Sequence, residues 1–88
     1  MRVTREMVAG RISAHLRGEQ SLADLVSWAE DAMREGEFAD PDFPAIRDVV
    51  ARLGLADVAA FGLTWEDAAG MLARLGYRAT VEIQAVRH

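Results

Sequence analysis

The sequence predicts a mainly α protein: a compact, bundle-like packing of about four short helices followed by a short C-terminal β-strand, in a single domain covering residues 1–88. Three observations lead there. Apolar side chains recur every three or four residues through most of the chain, which is the spacing of one helix face. Capping residues and glycines bracket each such run. Only beyond Arg78 does the period fall to two, the spacing of a strand. With 51% hydrophobic residues and a mean hydropathy of +0.01, the composition is that of a chain that packs a core. A chain of this length buries roughly 60–65% of its unfolded surface.

The elements follow in order. Thr4 offers an N-cap, Val3 and Val8 have the spacing of a hydrophobic staple, and Val8, Ile12 and Leu16 continue one face toward Gly18. Ser21 and Asp24 resemble a capping box. Leu22, Leu25, Val26, Ala29 and Met33 follow with the helical repeat, Trp28 widens the stripe, and Gly36 stops it. Glu30 and Arg34 stand at the spacing of a helical ion pair. The segment from Glu37 to Pro44 is rich in turn formers, with two prolines and two aspartates. Ile46, Val49, Val50 and Leu53 then predict a third helix closed by Gly54, and Leu55 to Phe61 reads either as a further helical turn or as a packed connector. Thr64 caps the last helix with Asp67 at its third position; Trp65, Ala68, Ala69, Leu72 and Leu75 give its buried face, and Gly76 ends it. Gly70 inside this helix suggests the close approach of another one. Ala79, Val81, Ile83 and Ala85 alternate with polar neighbours and predict a strand that needs a mate: the Met1–Val3 end, another copy, or a partner.

Chemistry is constrained by what is missing. The chain has no cysteine, and Arg supplies all ten of its basic charges. Disulfides, thiolate catalysis and lysine Schiff bases are therefore excluded, and a domain without disulfides fits the cytoplasm. The absence of Lys and Asn points to a GC-rich bacterial genome. The two histidines, His15 and His88, have no metal-binding spacing. His15 reads as a helix residue bordering the core. No serine sits in a nucleophile turn, and the glycines fall at helix ends or within a helix, not in a phosphate-binding cluster. No apolar run is long enough to span a membrane, and the start of the chain does not read as a secretion signal. The sequence thus predicts no enzyme, no cofactor and no metal.

Charge is distributed unevenly. Residues 1–20 carry +2, whereas 30–42 carry −5 through Glu30, Asp31, Glu35, Glu37, Asp40 and Asp42 set against Arg34, in a chain of net charge −4. Such a chain is poorly suited to phosphate backbones, despite Arg2, Arg5, Arg11 and Arg17, and better suited to a basic protein. Phe38 and Phe43 flank the two aspartates of the loop. Aromatics beside acids are typical of binding hot spots, and they equally serve to pin a loop onto helices.

The stretch from His15 to Glu30, with its helix end, Gly18, the Ser21-x-x-Asp24 cap and an apolar helix containing Trp28, resembles small bacterial immunity proteins of the colicin-like group. That resemblance covers about a fifth of the chain. It implies a compact helical domain that binds and blocks a cognate toxin, often through an acidic surface. The combined expectation is a non-catalytic, immunity- or antitoxin-type protein that neutralises a basic toxin. Its candidate contact residues are Glu35, Glu37, Phe38, Asp40, Asp42 and Phe43. The alternative expectation is a structural homo-oligomer, such as a homodimer, assembled through residues 79–87.

Overall fold

The computed structural model describes residues 2–38, 43–58, 61–81 and 83. Its elements run β1 (Arg2–Val3), α1 (Arg5–Leu16), α2 (Leu22–Glu35), β2 (Glu37–Phe38), α3 (Phe43–Leu53) and α4 (Trp65–Arg74). Local chemistry sets the helix starts. The Thr4, Ser21 and Thr64 hydroxyls accept hydrogen bonds from the backbone N–H groups of Met7, Asp24 and Asp67. Each satisfies a donor that the first helical turn leaves unpaired. At Thr64 the box is complete, because the Asp67 carboxylate accepts the Thr64 N–H in return at 3.1 Å. At the far end of α4, Gly76 adopts a φ of +90°, and the next N–H, of Tyr77, reaches back to the Leu72 carbonyl at 2.8 Å.

One apolar cluster draws on all four helices of the described residues and on β1, with Val3, Ile12, Leu25, Ile46 and Leu53 fully buried. The predicted stripes supply most of it. Two side chains assigned to buried faces lie at the margin instead: Leu16 is 36% and Trp65 is 40% exposed. Leu16 is the last residue of α1 and Trp65 the first of α4, so each lies at an end of its helix. Met71 takes a core position on α4 that the sequence reading did not assign to it. Gly70 marks no close approach, since a Cβ there would meet nothing within 4 Å. On α2, Arg34 binds Asp31, one position nearer than the expected Glu30.

The connector after α3 is a run of turns whose larger apolar side chains, Leu55, Val58 and Phe61, are exposed. Successive turns close through Leu53, Leu55 and Val58 carbonyls, and Ala56 is buried. Arg52 pins the loop: its Nη2 donates to the Gly62 carbonyl at 3.1 Å, lies 3.5 Å from Asp67 of α4, and its guanidinium sits 5.3 Å from the centre of the Phe61 ring.

The described sheet pairs β1 with β2 in parallel, Arg2 facing Glu37 and Val3 facing Phe38. Of the three mates considered for the C-terminal strand, the Met1–Val3 end has Arg2 and Val3 paired with β2. Of the predicted strand at 79–87, residues 79–81 and 83 belong to neither helix nor strand, and residues 82 and 84–87 lie outside the described residues.

Candidate partner-binding surface

α2 carries the acidic segment because its two faces differ in composition. Trp28, Ala29 and Ala32 turn into the core, while Glu30, Asp31, Arg34 and Glu35 are exposed. Arg34 neutralises Asp31. Glu30, Glu35 and Glu37 have no ion-pair partner among the described residues, so their charge faces solvent. The chain leaves α2 through Gly36, whose N–H bonds the Ala32 carbonyl at 2.8 Å. A Cβ at that position would strike the Ala32 carbonyl oxygen and come within 2.7 Å of the Val3 side chain. This tight exit sends the chain straight into β2. Pairing with β1 then fixes Glu37 two residues past the end of the helix, separated from Glu35 by Gly36 and opposite Arg2 in the sheet.

The predicted contact residues separate into groups. Glu35 and Glu37 are exposed at the α2–β2 junction. Phe38 is half-buried and packs against the core cluster, so it pins the segment that carries the acids. Asp40 and Asp42 lie outside the described residues, as does the side chain of Phe43, whose backbone begins α3.

Among the described residues, the Glu6 and Asp67 carboxyls are held below the usual carboxylate range, each within the first turn of a helix. Glu6 is lowered chiefly by its own backbone N–H, with help from the Thr4 hydroxyl and Arg5. Asp67 is lowered chiefly by the Thr64 backbone N–H, then by the Thr64 hydroxyl and Arg52. A general acid near neutral pH needs the opposite displacement. Among the described residues, no three His, Cys, Asp or Glu side chains gather to hold a metal ion.

Sequence reasoning missed a second acidic feature, a groove of about 630 Å³ between α1 and α2 lined by Glu6, Gly10, Arg11, Glu19, Gln20 and Asp24. Its acids come from three separate stretches, so no local charge run announces it. The available signal was Gly10, an interruption in the outer surface of α1 with open space where a side chain would stand. Arg11 lies over the Trp28 ring at 5.2 Å, and the Gln20 side-chain carbonyl is buried without a hydrogen-bond partner among the described residues. A further groove, between α3 and α4, is crossed by the Arg74–Asp48 and Arg52–Asp67 pairs, which leave Glu66 as its one carboxylate without an ion pair among the described residues. Comparisons with protein-family models, with curated proteins and with solved structures find no match.

Proposed function

We propose that this protein is a non-catalytic bacterial binding protein of immunity or antitoxin type, acting in the cytoplasm, that captures a basic protein toxin through the acidic α2–β2 surface. The observation that carries this reading is the exposure of Glu30, Glu35 and Glu37, none of them in an ion pair among the described residues, on a helix and strand whose junction is fixed by Gly36 and by the β1–β2 pairing that sets Arg2 opposite Glu37. Pre-positioned charges of one sign steer an oppositely charged protein and suppress wrong partners. The test is affinity capture from producing cells, followed by assay of the captured protein's toxicity with and without this chain. A basic protein whose toxicity is suppressed supports the reading; an acidic or harmless partner refutes it.

A second reading, self-association through residues 79–87, draws on one observation. Val81 and Ile83, two apart in the chain, are 64% and 90% exposed. Apolar side chains so presented gain from burial against another copy.

A further inference from the structure

A third groove differs from the acidic surface in both charge and lining. α1 and α4 lie side by side in opposite directions: Leu16 and Trp65 line this groove together, while the Arg5 guanidinium lies near Gly76 at the other end. The chain leaving Gly76 forms a further wall of the groove with Tyr77 to Thr80, giving a space of about 450 Å³. Leu72 is buried in its lining, and Leu16, Trp65 and Tyr77 are each more than a third exposed. Its charged residues among the described ones are Arg17 and Arg78, and no described carboxylate lines it, although the chain as a whole is acidic. Both grooves described above contain several carboxylates. Arg78 has no ion-pair partner among the described residues; Arg17 is held from outside the groove by Glu19 at 2.5 Å.

We infer that this groove docks an acidic peptide segment of a partner protein, with an apolar or aromatic side chain seated against Leu16, Trp65, Leu72 and Tyr77 and flanking carboxylates on Arg17 and Arg78. Trp, Tyr and Arg are the residues that dominate binding hot spots. Trp and Tyr supply large contact area at low entropic cost, and a guanidinium presents a fork that matches a carboxylate. The concave shape favours an inserted side chain over a membrane surface. Two arginines in an acidic chain are too few for a nucleic-acid backbone. The site shares no residue with the α2–β2 surface and stands independently of the function proposed for it.

The experiment uses the full chain and an acetylated, amidated hexapeptide, Glu-Asp-Phe-Leu-Asp-Glu, with a control in which Gln and Asn replace the acids. Binding is followed by NMR of the two indole N–H signals, assigned with Trp65→Phe. The acidic peptide is expected to shift the Trp65 signal saturably and to leave Trp28 unmoved. Loss of the acids, or Arg78→Glu in the protein, should weaken binding at least about tenfold. Arg78 is exposed, so that change leaves the core intact. Equal binding of both peptides, shifts centred on α2, no saturable shift up to about 5 mM peptide, or stronger binding to phosphatidylglycerol vesicles than to the peptide would overturn the proposal.

Discussion

Gly36 and Arg52 are the residues on which the most geometry turns, and neither makes its contribution through the usual burial of a large side chain. At Gly36 the Ala32 carbonyl and the Val3 methyl occupy the space a Cβ would need. Gly36→Ala should therefore force α2 and β1 apart and cost about 1–3 kcal/mol, the usual penalty of overpacking. In a domain of this size that lowers Tm by roughly 4–8 °C per kcal/mol, measurable by thermal unfolding. An unchanged Tm would mean that the α2–β2 junction gives freely. The sequence marked Gly36 as a helix stop but did not show the reason, because Val3 is distant in the chain. Arg52 was hidden for the same cause: its contacts to Phe61, Gly62 and Asp67 exist only once α3 and α4 have come together.

Helices were more legible than strands because their signals are local and repeated. Thr4, Ser21 and Thr64 cap as their spacing implies. By contrast, β1 and β2 span two residues each, too short for an alternating pattern to show. The capping box of α4 carries two expectations. Thr64→Ala should destabilise by about 1 kcal/mol, read from the urea midpoint. The second concerns pH. The Asp67 pKa is lowered in the folded state, so the unfolded chain takes up this proton more readily. The stabilisation is complete above the unfolded pKa of about 4 and is lost as pH falls through the lower folded value. Urea midpoints at pH 6 and pH 3 should fall on acidification less steeply in Asp67→Asn than in wild type. Equal slopes would show that the carboxylate charge does not stabilise the helix start.

For the whole molecule, the chain's charge pattern was readable as a sequence but its grooves were not. The acidic run at 30–42 is contiguous in the chain. The α1–α2 groove and the aromatic groove beside α4 each combine residues from separate segments, and Trp65 and Leu16 looked like core residues until helix ends placed them at the margin. The exposed Val81 and Ile83 make self-association testable. Sedimentation of wild type against Val81→Glu/Ile83→Glu is preferable to truncation after Arg78, because Ala79 packs on the core. A dimer that dissociates in the variant supports association through this segment; a monomer in both forms eliminates it.

The most direct measurement is the dissociation constant of the captured toxin for wild type and for Glu35→Arg/Glu37→Arg/Asp40→Arg/Asp42→Arg, titrated at low and at physiological salt. Attraction by the acidic surface predicts at least about tenfold weaker binding for the charge-reversed chain, with a flatter salt dependence. Equal affinity of the two chains at both salt concentrations would contradict it.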